Sequence, residues 1–364
     1  MTSDRRYSRN TNPQSQLLPS TFSFKVVKAT DGSMKTVSFG IILLSLLATT
    51  NVMCGQSVTS DPLKLVSTIS LPNVQGRIDH LAIDAKGERL FVAALGNNSV
   101  EVIDLKANTR VHTIPGLAEP QGIAYVPSSN LIFVANGKDG SVRGFDASSW
   151  KLLTSISYGD DADNLRYDAG GGHIWVGYGS GAVGEFDRKG TKLADIKLDA
   201  HPESFQLEKN GSRVFVNLPR SQKIAVLDRK TQTIVDSWGT GGPLANYPMA
   251  LDEQHHRLFV VTRSPARLIV LDTEHGQRIA SLSAIGDCDD VFFDQQRHRI
   301  YAIGGEGGIS VFQQRDADQY NEIGRIKTVG GARTGFFSTD FDKLYLAVRK
   351  QDSHPAEIRI YAPQ

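Results

Sequence analysis

The 364-residue chain holds only two cysteines, Cys54 and Cys288, so no disulfide framework can staple it. Cys288 stands beside Asp287, Asp289 and Asp290. Neighbouring carboxylates raise a thiol's pKa and discourage thiolate chemistry, so it reads as a structural thiol. Charge of neither sign dominates: 40 Lys and Arg face 39 Asp and Glu, a net +1. Without the six basic and two acidic residues of 1–55, the remainder carries 34 and 37, a net −3, with the signs interspersed. A nucleic-acid partner calls for a basic excess or patch, and an anionic membrane surface for the same, so neither is expected. No apolar run reaches the roughly 20 residues of a membrane-spanning helix. The chain also lacks a C-x-x-C-H haem site, an H-E-x-x-H zinc pair, a Walker loop and a G-x-S-x-G elbow. Gly179, Gly181 and Gly184 do spell G-x-G-x-x-G, but no helix follows whose N-terminus could hold a dinucleotide. Beyond residue 55 no 3.6-residue apolar rhythm stands out, which predicts almost no helix.

What the chain does have is a beat. Phe91, Phe133, Trp175, Phe215, Phe259, Tyr301 and Tyr345 follow one another at 42, 42, 40, 44, 42 and 44 residues. Each sits in a short apolar run such as LFVAA or IWVGY. Sheet repeats of 40–45 residues mark a β-propeller with four strands per blade. About ten residues before each aromatic lies an inner strand, in which His80, Gly122, Asn164, Ser204, Pro248, Asp290 and Gly335 are equivalent. A third strand ends in Asp104, Asp146, Asp187, Asp228 and Asp272 in the first five units. A carboxylate there can accept backbone N–H groups of the following turn, a structural task. The expected fold is all-β: a seven-bladed propeller with four-stranded blades. The seventh unit runs out after Tyr361. The alternating segment Leu63–Leu71 supplies its missing outer strand, with Leu63, Leu65, Ile69 and Leu71 expected to face inward. That strand closes the ring and removes the exposed edges.

Residues 1–55 read as an N-terminal extension and signal peptide with its core at about 34–55, and residues 56–364 as one propeller domain. Met34-Lys35 precedes the apolar stretch Val37–Ala48, the length of a signal-peptide core. Translation starts at Met34, or at Met1 with a long basic leader; both lead to export. Cleavage is expected between Ala48 and Ser57, giving a periplasmic or secreted protein without an integral membrane span. Cys54 has no Leu three residues before it and no small residue directly before it, so lipid anchoring is not expected.

Phe133-Val134-Ala135-Asn136, the turn Lys138–Ser141 and Val142–Asp146 together resemble the YVTN-repeat, YncE-like propellers. The resemblance covers roughly residues 62–363. It implies an envelope or secreted protein and brings no shared catalytic motif.

A propeller's function lives in its loops. Where each outer strand hands over to the next inner strand, Asp79, Gln121, Asp163, Glu203, Tyr247, Asp289 and Thr334 are equivalent and should form one ring at a channel mouth. Arg77, His80, Asn164, His201, Asp290 and Arg333 stand beside them. The candidate ligand-binding set is therefore Arg77, Asp79, His80, Gln121, Asp163, Asn164, His201, Glu203, Tyr247, Asp289, Asp290 and Arg333. Asp79, Asp163, Glu203 and Asp289 are candidate ligands for a hard divalent cation such as Ca2+ through oxygen. Crowded carboxylates also raise one another's pKa and could serve as acid or base. Three readings follow. The first is a binding module for a small molecule, peptide or envelope protein. The second is a metal-assisted hydrolase, lactonase-like, and the third a non-catalytic propeller subunit of a redox complex. The first is preferred, because no nucleophile–base pair is legible.

Overall fold

The computed structural model describes residues 61–352 and 354–364. The signal-peptide reading, with Met34, Val37–Ala48 and Cys54, lies outside the described residues. Seven four-stranded antiparallel sheets fill residues 63–363. They are blade one at 81–114, two at 120–157, three at 162–197, four at 205–239, five at 244–283, six at 288–327 and seven at 335–363. Leu95–Asn97, a single 3-10 turn, is the only helical element among the described residues.

The repeating aromatic is the seal between blades. All seven are buried, and each belongs to an apolar cluster built from its own blade and the next. Phe91 joins Ile123 and Ile132, Phe133 joins Phe186, Trp175 joins Phe205 and Phe215 joins Met249. Phe259 joins Ile300, Tyr301 joins Phe337 and Tyr345 joins Leu81. A lone blade exposes both faces, so the core is divided into seven joints instead of one centre. The Asp-ended strands behave as the sequence suggests. Asp104, Asp146, Asp187 and Asp228 each accept two backbone N–H groups from the turn that follows, and Asp272 accepts three. In blade six, where Gln313 takes the place, Asp316 does this work three residues later.

Leu63–Leu71 pairs antiparallel with Ala356–Pro363 and completes blade seven. One detail departs from strict alternation. Leu63, Ile69 and Leu71 are buried, but Leu65 is 46% exposed. The pairing slips by one residue between Leu65 and Ser67. An inserted residue of this kind breaks the in–out alternation, and here it leaves both Leu65 and Val66 in solvent.

Candidate functional site: the channel mouth

The mouth is built by a distortion repeated from blade to blade. In blades two, three, five and six the inner strand gains one residue on its partner near its start. The slips lie between Pro120 and Ile123, Ala162 and Leu165, Asn246 and Met249, and Cys288 and Asp290. In blade one the Asp79 N–H and the His80 carbonyl both bond Ala93, and in blade four Glu203 and Ser204 both bond Asn217. Such bulges re-aim side chains that a regular strand would send to opposite faces. Adjacent residues therefore reach the same space: Asp79 with His80, Asp163 with Asn164, Glu203 with Ser204.

The resulting chamber has a volume of about 220 Å³. Its walls bring together Arg77, Asp79, His80, Gln121, Asp163, Asn164, His201, Glu203, Tyr247, Asp289 and Arg333. Asp290 lies outside this set. It lines the channel below, where its Oδ1 is 3.4 Å from His80 Nδ1 and its Oδ2 accepts the Gly335 N–H at 2.8 Å. Thr334 is buried and donates its hydroxyl to the Ile78 carbonyl at 3.2 Å, so it does not reach the mouth. Four wall residues lie outside the candidate set read from the sequence: Asp161, Ser204, Arg220 and Arg263. The signal for Arg263 was its position four residues after Phe259, where most blades carry Leu95, Gly137, Gly179, Pro219 or Gly305.

The four ring carboxylates fall into two kinds. Asp79 and Asp289 are held by arginine. Arg77 donates to Asp79 at 2.9 Å. Arg333 meets Asp289 at 2.6 Å, and Arg263 bonds the same carboxylate while its guanidinium lies 3.8 Å from the Tyr247 ring centroid. Asp163 and Glu203 have no arginine, and share His201. The His201 Nδ1–H donates to the Gly179 carbonyl at 2.5 Å, which leaves Nε2 facing Asp163 Oδ2 at 3.8 Å, an ion-pair distance. The Glu203 carboxyl has no protein hydrogen-bond partner among the described residues.

Burial and like charge shape the titration. Burial, then Asp163 and Asp289, push the Glu203 carboxyl up to about 8 against His201 and His80. Burial also lifts Asp289 to about 6, against the pull of Arg263 and Arg333, and raises Asp79, with His80 and Arg77 opposing. Burial disfavours charge on the histidines, but their carboxylates win. Asp290, Asp79 and Asp163 bring His80 to about 10, and Asp163 with the Gly179 carbonyl brings His201 to about 9. At neutral pH the mouth thus holds charged His80 and His201 beside a protonated Glu203.

Ligand atoms of Asp163, His201 and Glu203 all lie within 4.8 Å of one another, close enough to share one ion. The set differs from the oxygen-only quartet read from the sequence. Once His201 gives up its Nε2 proton, the Nδ1–H bond to the Gly179 carbonyl fixes the tautomer that metal-bound histidines use. One nitrogen and two carboxylates suit Zn2+ or Mn2+ as well as harder ions. Loading would displace the protons of His201 and Glu203.

No family model matches the chain. It is 22% identical over 291 residues to the uncharacterized protein YncE of Salmonella typhimurium strain LT2, covering 76% of this chain and 70% of that one. The same figures hold for the uncharacterized YncE of Salmonella typhi. Among solved structures, hydrazine synthase of Kuenenia stuttgartiensis superposes with a TM-score of 0.65, at 15% identity, over 76% of this chain and 94% of that chain. At that identity the likeness concerns fold alone. Among the described residues no helix is long and apolar enough to cross a membrane. Repeat pattern and ring agree: this chain is a seven-bladed β-propeller, and over most of its length it is similar to the YncE proteins.

Proposed function

We propose that this chain is an exported binding protein of the cell envelope whose channel mouth takes a small polar ligand, a divalent cation at Asp163, His201 and Glu203 forming part of the recognition surface. One observation carries the reading. The polar chamber keeps unspent bonding capacity, in the half-buried Glu203 carboxyl, which accepts no hydrogen bond, and in the exposed Arg220, which has no ion-pair partner, both among the described residues. A half-buried carboxyl is ordinarily bonded, so Glu203, with the open guanidinium of Arg220 in the same wall, supports a polar ligand as the missing partner. Export rests on the Met34-Lys35 leader and its short apolar core.

A second reading has its own support. A cation on the same three side chains would act as a Lewis acid and bring a bound water toward ionisation, the chemistry of metal-assisted hydrolysis of an ester or lactone. A thermal-shift screen of sugars, zwitterions and short peptides, with and without Zn2+, Mn2+ or Ca2+, tests the binding function. Ligands that raise the melting temperature of the wild type and not of an Asp163→Asn, Glu203→Gln variant support it. A screen whose hits survive that variant unchanged counts against it. Turnover of simple esters and lactones by the metal-loaded chain, lost in the variant, would favour the hydrolase.

A further inference from the structure

Beneath the mouth the channel widens to a chamber of about 500 Å³ that shares His80 and Ser204 with it as a partition. Its walls change character. Ile83, Tyr125, Tyr167, Leu251, Phe292 and Phe336 line it, all half-buried, with apolar surface left over from blade packing. Near the partition stands one strong cation, Arg166. Its Nη1 donates to Asn164 Oδ1 at 3.1 Å and to the Leu165 carbonyl at 2.8 Å, and its Nη2 reaches Ser204 Oγ at 3.4 Å. Every one of these acceptors is neutral. Among the described residues no carboxylate lies within ion-pair distance of it, whereas Arg77, Arg263 and Arg333 of the mouth each hold an aspartate. Phe205 backs the guanidinium at 5.5 Å from its ring centroid. A guanidinium carries five N–H donors. Three contacts leave the Nε edge and one Nη2 donor available, the fork that takes a carboxylate through two parallel bonds.

We propose that this chamber is a second binding site, distinct from the mouth, which takes a small amphipathic carboxylate with its acid group on Arg166 and its aromatic or alkyl body among the channel aromatics. The volume lies within the range that small-molecule sites occupy, and an apolar wall with few convergent polar groups is their usual make-up. Access is from the face opposite the mouth. Lys209 and Thr339 also line the chamber, and each lies within two residues of the far end of an inner strand, Phe205–Leu207 or Gly335–Ser338. The exposed Lys209 there favours an approaching anion. Asp290, the nearby acid, is already spent on the Gly335 N–H and on His80.

The test is calorimetric titration of the full chain with phenylacetate and with octanoate, beside the uncharged phenylacetamide and octanamide. EDTA is present throughout, so that no ion at the mouth can serve as the acceptor. The site predicts that an acid binds roughly tenfold or more tightly than its amide. It also predicts that Arg166→Met removes that preference, while Arg166→Lys retains part of it because the charge remains. Acid and amide binding alike to the wild type, or neither acid binding at up to ~10 mM, overturns the proposal. The acid–amide comparison needs no variant, so it decides even if Arg166→Met fails to fold. Arg220→Met, which removes the arginine of the mouth that has no ion-pair partner among the described residues, should leave the preference unchanged; a preference lost there would put the acid at the mouth and overturn the proposal.

Discussion

Protonation at the mouth makes a claim about stability. Glu203, His201 and His80 titrate near 8, 9 and 10 in the folded chain, each above the ordinary values of about 4.3 for Glu and 6.5 for His. The native state therefore keeps protons that the unfolded chain has released, and stability must fall as pH rises. Each retained proton weakens the fold by at most about 1.4 kcal/mol per pH unit. Melting temperature should drop steadily between pH 6 and 10. Glu203→Gln, which fixes the neutral form, should flatten the part below pH 8. A melting temperature that holds or rises across this window would contradict the assignment. Single residues also mark how far the sequence could be read. Equivalence across repeats picked out Asp79, Asp163, Glu203 and Asp289, since a fixed period carries each to the same height on the ring. It could not say which acids are neutralised. That depends on Arg263, which belongs to a different strand of its blade, and on bulges that leave no mark in the pattern of apolar and polar residues. Arg166 was hidden for the same reason, as one polar residue on an inner strand whose direction the bulge sets.

Among the elements, the closing strand is where alternation and register part company. Leu63, Ile69 and Leu71 each bury an apolar side chain worth roughly 1.5–3 kcal/mol. Leu71→Ala should cost about 2–4 kcal/mol in urea unfolding. Leu65→Ala should stay within about 0.5 kcal/mol, because Leu65 lies in solvent beside the slip. Equal losses at the two positions would mean that the strand pairs without the slip. The closure itself was legible, because blade seven lacked a strand and Leu63–Leu71 was left over. The slip was not, since an apolar residue at every second position predicts an unbroken strand. The turn aspartates were legible for a local reason: each one's work is done within five residues of its own position.

At the scale of the whole molecule, ring closure turns seven similar blades into one dissimilar centre. The aromatic at each joint is interchangeable in kind, so the fold follows from periodicity. Phe133→Ala, which empties the seal between blades two and three, should destabilise by about 3–5 kcal/mol. The mouth is different in every blade, and only the closed ring shows which of its groups meet. The measurement that bears most directly on the mouth as a binding site is calorimetric titration of the EDTA-stripped full chain with Zn2+, Mn2+ and Ca2+ at pH 7 and pH 9. One ion should bind per chain, more tightly at pH 9, as Glu203 and His201 release their protons near 8 and 9. Binding should vanish in the Asp163→Asn, Glu203→Gln variant. No binding heat at either pH, or binding that survives in the variant, would contradict the site.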